Sequence, residues 1–509
     1  MNIKSCNSKS FGKGKSIRVP GSKSHTIRAL ILACMSEGKT QITNPLKSAD
    51  ALSTAKAIAK LGASVEFCDE QNIWNVNGAG KNFHLPDCPI DVGNSGSLMY
   101  FISPVLATLN GRCVITGDES IQKRPVAHLT DALSQLGASA FCQNKDSVTP
   151  PFEFTGPISN QNELVTEGKL SQYISGFMMA ATRLKGTTRL NLTTPQETPY
   201  LSMTKYWLDK YGVKSTISED YKKITVDGPV DLKAHDVTIP SDWEAVAFPL
   251  IAALIANEHI VITDIDDSGT QGDEKIVELL QAYGADIIWD KAAKTLEVNA
   301  HLKAGDSYAA SDSKTGATDT SCGAKSDDDR DYKILRAPDG KMTISMAAYP
   351  DAICALCVIA CFAEGTTVFT DIDICRKKET DRIKVMTEIL SSLGAKIKDN
   401  GDTLVINGHS PFMREGANST GAGTCSECCG VNNSGSAACA LSKNPAFVMH
   451  GGKVDSYLDH RVAMSLACYG LFLPESDPVI IKDAECCDVS FPGFFDIMNK
   501  SLGTEFAGV

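Results

Sequence analysis

Seven consecutive polar residues, Arg376-Lys377-Lys378-Glu379-Thr380-Asp381-Arg382, carry four cations and two carboxylates. They follow a strand-like run at 366–372 and open an amphipathic helical pattern of Ile383, Val385, Met386, Ile389, Leu390 and Leu393. Thr380 is expected to cap that helix, whose first N–H groups already favour anions. With Lys378 and Arg382 added, the segment suits a phosphate or a carboxylate, and Glu379 places a proton-transfer group beside it. Taken alone, such a charge run reads equally well as a solvated helix face.

Further motifs stand at other expected helix starts. In Pro20-Gly21-Ser22-Lys23-Ser24-His25-Thr26-Ile27-Arg28 a turn leads into a helix bearing Lys23 and Ser24, with Arg28 one turn later on the same face. His25 is expected at the surface or in a cap. Asp91-Val92-Gly93-Asn94-Ser95-Gly96-Ser97 opens a second helix, and its glycines allow close backbone approach to a ligand. Arg124 precedes a helix-initiating Pro125. Ser171-Gln172, Tyr349-Pro350-Asp351 and Asp459-His460-Arg461 begin three more, and capping alone would explain Asp351. If these starts face one cleft, Lys23, Arg28, Arg124, Lys378, Arg382 and Arg461 converge there. Such a cluster would hold a ligand with roughly two phosphates and two carboxylates, with Asp351 and Glu379 available for proton transfer.

The positioning elements repeat. One helix type ends in a hydrophobic residue and Gly, at 51–62, 127–137, 201–212, 274–284, 382–394 and 493–503. An apolar, small-residue-rich type alternates with it, at 24–35, 97–109, 171–184, 243–256, 351–363 and 460–472, each followed by a short strand. Helices so apolar must be buried on nearly all sides. The pattern predicts an α/β fold of six units in two lobes. Residues 21–240 form the first, and residues 1–20 plus 241–509 form a discontinuous second, with the strand at 15–19 joining it. Insertions near 304–332 and 413–444 have the composition of solvated loops. The second contains Cys425, Cys428, Cys429 and Cys439, read as exposed thiols rather than a metal site.

The totals restrict the function. A net charge of −12 and a pI near 5.3 argue against nucleic acid as a partner. No apolar run reaches membrane-spanning length, so no membrane partner is expected. Residues 1–18 are polar and basic, with no apolar signal stretch, and many of the 18 Cys sit in apolar helical patterns. Reduced thiols and a cytoplasmic location follow as expectations.

The motifs PGSKSHTIRAL, GNSGS, KRPVAHLTDALSQLGA, YPDA, RKKETDRI and LDHRVAM, in this order, make the chain resemble the 5-enolpyruvylshikimate-3-phosphate synthase family from about residue 20 to residue 492. The resemblance implies an inside-out α/β barrel of six βαβαββ units in two domains that close on their substrates. The implied reaction joins phosphoenolpyruvate to the 5-hydroxyl of shikimate 3-phosphate and releases phosphate. The enzyme is expected to be a monomer without metal or organic cofactor. Lys23, Ser24, Arg28, Ser171, Gln172, Asp351 and Lys378 are the implied contacts to shikimate 3-phosphate. Lys23, Asn94, Gly96, Arg124, Gln172, Lys378, Arg382 and Arg461 are those to phosphoenolpyruvate. Asp351 resembles the base for the 5-hydroxyl, Glu379 the group handling the methylene proton, and Lys23 a catalytic contact to both substrates.

Five positions depart from the family pattern. Tyr100 stands where Arg is usual, Leu170 where Ser is usual, and Glu197 where a Ser touching the sugar phosphate is common. Val489 replaces a phosphoenolpyruvate-contacting Lys, and Ile374 an Asn found in some members. The departures imply either weaker affinity or cover by neighbours such as Lys482 or Lys169. The nearest alternatives are the sister transferase acting on a UDP-amino sugar, and a non-enzymatic sensor of anionic metabolites. The Gly-Ser-Lys-Ser start and Cys113 in a strand pattern weigh against the first, and the presence of Asp351 and Glu379 against the second.

Overall fold

The computed structural model describes residues 1–8, 10–12, 14–144, 146–161, 163–299, 334–414 and 441–509. Among them lie twelve α-helices: α1 (Lys23–Met35), α2 (Ala49–Ala59), α3 (Gly96–Leu106), α4 (Ala127–Gln135), α5 (Ser171–Ala181), α6 (Thr198–Lys210), α7 (Trp243–Ala256), α8 (Ile276–Ala282), α9 (Ile353–Phe362), α10 (Arg382–Ser392), α11 (His460–Gly470) and α12 (Phe494–Leu502).

The two kinds of helix alternate as the repeat predicts. The odd-numbered ones are the apolar series, and every residue of α9 is buried. The even-numbered ones bury one face and stop at Gly62, Gly137, Gly212, Gly284, Gly394 and Gly503, whose φ angles lie between 69° and 101°. A side chain there would meet the left-handed penalty, so the repeated Gly marks a helix stop. Helices α8 and α9 start later than the sequence pattern suggests. The turns before them, Gly272–Lys275 and Pro350–Ala352, are 3-10.

Among the described residues, six four-stranded sheets share one topology: a parallel pair followed by two antiparallel strands. Ile90–Asp91 runs parallel to Gly111–Thr116, for example, which pairs antiparallel with Phe152–Gly156, and that strand with Ser139–Cys142. Two sheets borrow their parallel strand from a distant part of the chain. Val237–Thr238 pairs with Lys39–Thr43, and Lys15–Arg18 with Ile260–Thr263. An earlier strand than the one read at 15–19 also exists. Ile3–Ser5 lies between Val479–Lys482 and Ala507–Gly508. Three residues are too few for an alternation signal, which is why the pattern does not reveal it.

The core of the described residues is two apolar clusters, one built from residues 27–239 and the other from residues 3–19 and 243–506, with Leu170 packed against both. Each fully buried Val, Leu, Ile or Phe contributes roughly 1.5–3 kcal/mol. The connecting segments run side by side: Ser22 N–H donates to Pro240 O (2.8 Å) and Asp242 N–H to Pro20 O (2.9 Å).

His25 is not at the surface. It is fully buried, and its Nδ1 accepts from Trp207 Nε1 at 3.0 Å. Nε2 lies 3.1 Å from Thr270 Oγ1. Burial first, then Arg28 and Lys210, lower its pKa to about 3, so the ring is a neutral core connector. No described helix is long and apolar enough to cross a membrane. The strands Phe412–Arg414 and Leu441–Lys443 pair at the base of the second insertion. The insertion at 304–332 and Cys425, Cys428, Cys429 and Cys439 lie outside the described residues.

Candidate active site

The starts of α1, α3, α5 and α7, the turn before α9 and the segment before α10 line one cleft. Of the residues singled out from the sequence, Lys23, Ser24, Arg28, Gly96, Arg124, Ser171, Gln172, Asp351, Lys378 and Glu379 border it. Asn94 borders the adjoining mouth together with Arg124, Lys378 and Glu379. Arg382 and Arg461 stand one layer behind, fully buried.

Asp351 does not cap α9. Its residue belongs to the 3-10 turn, and its carboxylate accepts from Arg382 Nη1 (2.6 Å) and Lys378 Nζ (3.2 Å). Burial opposes its ionisation, yet Lys378 and Arg382 hold it below the ordinary carboxylate range. Glu379 accepts from Arg382 Nη2 (2.7 Å) and faces Arg124 Nη2 at 3.9 Å. Burial again opposes the charge, and Arg382 and Arg124 overcome it, keeping Glu379 well below its usual range. One guanidinium therefore joins both proton-transfer candidates.

Thr380 does not cap α10 either. Asp381 does, accepting from Lys384 N–H, while Thr380 Oγ1 donates to Asp459 Oδ2 at 3.0 Å. Asp459 caps α11 and also accepts from Arg382 Nε at 2.8 Å. Asp242 works similarly, capping α7 and accepting from Lys23 N–H at 3.1 Å. Cap carboxylates thus serve twice, ending a helix and anchoring a cleft residue.

Arg124 Nη2 donates to Asn94 Oδ1 (3.1 Å), and Asn94 donates to Asp118 (2.8 Å). A Cβ on Gly96 would lie 2.6 Å from Arg124 Nη1, so only Gly lets this guanidinium lie against α3. Arg28 is held by Ser24 O, Thr204 Oγ1, Ser175 Oγ and Tyr200 O and lies 4.5 Å over the Phe101 ring. Gln172 Nε2 donates to Ser97 Oγ at 3.1 Å. Behind them Arg461 pairs with Glu244, and Tyr200 Oη lies 2.9 Å from Glu244 Oε1 and 3.0 Å from Asp273 Oδ2. One hydroxyl proton cannot serve both carboxylates. Asp273, pushed up to about 7 by burial and then by Asp351, carries its own proton in acidic and near-neutral solution.

Several cleft residues escape sequence reasoning. Asp50 lies 3.6 Å from Lys23 Nζ and is buried; in sequence it is only an acidic residue in a helix's first turn. Tyr200 and Glu244 sit in helices with no local chemical signature. Lys377, and not the compensating Lys482 or Lys169, borders the cleft. Lys482 is exposed and paired with Asp455 and Asp483, and Lys169 with Asp373. Tyr100 and Leu170 border the cleft, Tyr100 donating to Pro125 O at 3.1 Å. Ile374 is buried.

The chain matches the EPSP synthase (3-phosphoshikimate 1-carboxyvinyltransferase) family over residues 13–498. It is 31% identical over 484 residues to the 3-phosphoshikimate 1-carboxyvinyltransferase of Acetivibrio thermocellus, covering 95% of each chain. It is 32% identical to that of Ruminiclostridium cellulolyticum, covering 96% of each. Its fold is that of an EPSP synthase from Acinetobacter baumannii, with a TM-score of 0.71 at 24% identity over the full length of both chains. The enolpyruvyl transferase NikO from Streptomyces tendae gives a TM-score of 0.67 at 15% identity, over 99% of this chain and 98% of that one. The solved structures share the inside-out α/β fold of this chain, and the chain belongs to the EPSP synthase family.

Proposed function

We propose that the chain transfers the enolpyruvyl group of phosphoenolpyruvate to the 5-hydroxyl of shikimate 3-phosphate and releases phosphate. The observation that carries this reading is the pairing of Asp351 and Glu379 through Arg382, facing Lys23 and Arg124 across one cleft. The chemistry needs these parts. A proton reaches C3 of phosphoenolpyruvate as the alcohol oxygen bonds to C2. The adduct then expels phosphate and loses a C3 proton to restore the double bond.

In this assignment Asp351 takes the hydroxyl proton, while Glu379 delivers the C3 proton and later removes one. Glu379 begins as a carboxylate held down by Arg382 and Arg124. Phosphoenolpyruvate bound to Lys23, Arg124 and Gln172, beside Asn94 and Gly96, offsets those cations and raises its proton affinity, so that Glu379 takes up a proton from solvent before the chemical step. Lys378, Arg382 and Arg461 add positive potential behind the developing phosphate. Ser24, Arg28, Ser171, Gln172 and Lys378 are assigned to the acceptor. The lobes 21–240 and 1–20 with 241–509 would close about the paired segments near residues 20 and 240, excluding water. The same reading has the enzyme monomeric and cytoplasmic.

Cys113 does not support the UDP-amino sugar alternative. It lies buried in Gly111–Thr116, with its pKa raised to about 12 by burial, which leaves no nucleophilic thiolate. The deciding assay is phosphate release from phosphoenolpyruvate. Release that requires shikimate 3-phosphate supports the proposal. Release with UDP-N-acetylglucosamine instead, or no release with either acceptor, overturns it.

A further inference from the structure

The start of α5 carries an anion seat with an occupant supplied by the chain. Ser171 N–H and Ser171 Oγ both donate to Glu197 Oε2 at 2.9 Å. Lys378 Nζ donates to Glu197 Oε1 at 2.6 Å. These are a helix-terminal N–H, a hydroxyl and an ammonium converging from two separate parts of the chain, the donor set that a phosphate requires. Glu197 is 2% exposed and borders the cleft. Its backbone is left-handed, at φ 50° and ψ 34°, and its N–H is fixed to Ala347 O at 2.7 Å. A non-Gly residue adopts that conformation at a cost, which the surrounding contacts must offset. Leu170, at the neighbouring N-cap position, brings no side-chain donor that could extend the seat.

We propose that Glu197 is an internal ligand of the acceptor's phosphate seat, so that the phosphate enters only in exchange with the Glu197 carboxylate. This rests on the acceptor reading given above. A phosphate and a carboxylate cannot share Ser171 N–H, Ser171 Oγ and Lys378 Nζ, because like charges at contact distance repel and the donors are too few. Glu197 therefore determines how tightly a phosphorylated acceptor is held, and it disfavours acceptors whose phosphate cannot displace it. Asp351 pairs with Lys378 independently, so the ammonium keeps a counter-charge during the exchange.

The test uses the full-length chain and two variants. Glu197→Ser removes both charge and bulk. Glu197→Gln keeps the bulk and guards against a folding failure of the first. Inorganic phosphate is titrated by calorimetry, and KM and kcat for shikimate 3-phosphate are measured by phosphate release. Both variants are expected to bind phosphate more tightly, Glu197→Ser by roughly tenfold or more, the factor carried by one charge-assisted hydrogen bond. The KM for shikimate 3-phosphate falls by a similar factor, and kcat changes less than KM. Unchanged or weaker phosphate binding in both variants overturns the proposal. If the wild type turns over shikimate 3-phosphate while the variants' KM stays put, the inference fails and the acceptor reading stands. If both variants gain phosphate affinity but no form turns over that acceptor, the acceptor reading fails and the seat assignment stands.

Discussion

Asp351→Asn separates a catalytic base from a structural anchor. The wild-type carboxylate accepts from Arg382 Nη1 and Lys378 Nζ. Asn preserves size and one acceptor but cannot take the hydroxyl proton. Loss of a positioned general base costs about 10²–10⁴ in kcat, equivalent to about 3–5 kcal/mol of barrier. The structural cost is smaller. Arg382 keeps Glu379 and Asp459, and Lys378 keeps Glu197. No buried cation is left without a partner, so destabilisation falls near about 1–3 kcal/mol, below the 3–5 kcal/mol typical of breaking an isolated buried pair. The sign of the pH effect follows from the depressed native pKa. The stability that Asp351 contributes is present above its unfolded value of 3.8 and lost as pH falls through its native one. The variant should therefore lose less stability on acidification below about pH 4 than the wild type. The measurements are kcat by phosphate release, acceptor affinity by calorimetry, and urea midpoints at pH 7 and pH 3. The reasoning is refuted if acceptor affinity drops by the same factor as kcat, or if the urea midpoint collapses at pH 7.

Gly96→Ala should leave stability within about 0.5 kcal/mol, because Ala suits a helix better than Gly. Its methyl displaces Arg124, so KM for phosphoenolpyruvate should rise about 10- to 100-fold; steady-state kinetics with an unchanged KM would refute the placement of Arg124. Asp273 has its native pKa raised to about 7, so its stabilising contribution is complete below 3.8 and gone above about 7. Relative to the wild type, Asp273→Asn should gain about 2–3 kcal/mol between pH 5 and pH 8, read from urea midpoints; a pH-independent difference contradicts it. Lys378→Met leaves Glu197 buried against Ser171 alone and should cost about 3–5 kcal/mol. Adding Glu197→Gln should recover at least about 1 kcal/mol of that in thermal melts, and strict additivity would show the two groups are not coupled.

What the sequence discloses and what it conceals have physical causes. The six Gly stops and the six apolar helices are local consequences of backbone geometry and burial, so they are readable from spacing alone. Cations at helix starts are readable for the same reason. Caps are not legible in this way at Thr380 and Asp351, because a cap depends on which neighbouring residue first leaves helical dihedrals. In both cases the polar side chain was recruited by a residue far away: Thr380 by Asp459, and Asp351 by Arg382 and Lys378. Two partner carboxylates of the cleft, Asp50 and Glu244, reach it through tertiary contacts of helices whose own sequences carry no such signal, whereas Glu197 is marked in the sequence only by its departure from the family pattern. His25 shows the same limit, since its burial is decided by Trp207 and Thr270, far along the chain.

Arg382 gives the proposed chemistry its coupling. Its Nη1 holds Asp351 and its Nη2 holds Glu379, so each carboxylate senses the other's charge both directly and through a shared cation. Glu379 pushes the Asp351 pKa upward by repulsion, and reciprocity requires the reverse. Suppose phosphoenolpyruvate has offset Arg124 and Glu379 carries a proton. When the acceptor hydroxyl delivers its proton to Asp351, one negative charge disappears beside Glu379. The repulsion that favoured protonated Glu379 falls, and the Arg382 charge bears more strongly on it. Glu379 then becomes a stronger acid at the moment C3 must be protonated. Arrival of a proton on one side of the guanidinium thus promotes departure from the other. The arrangement ties attack by the hydroxyl oxygen to protonation of the alkene, without requiring either carboxylate to have a pKa near neutrality in the free enzyme.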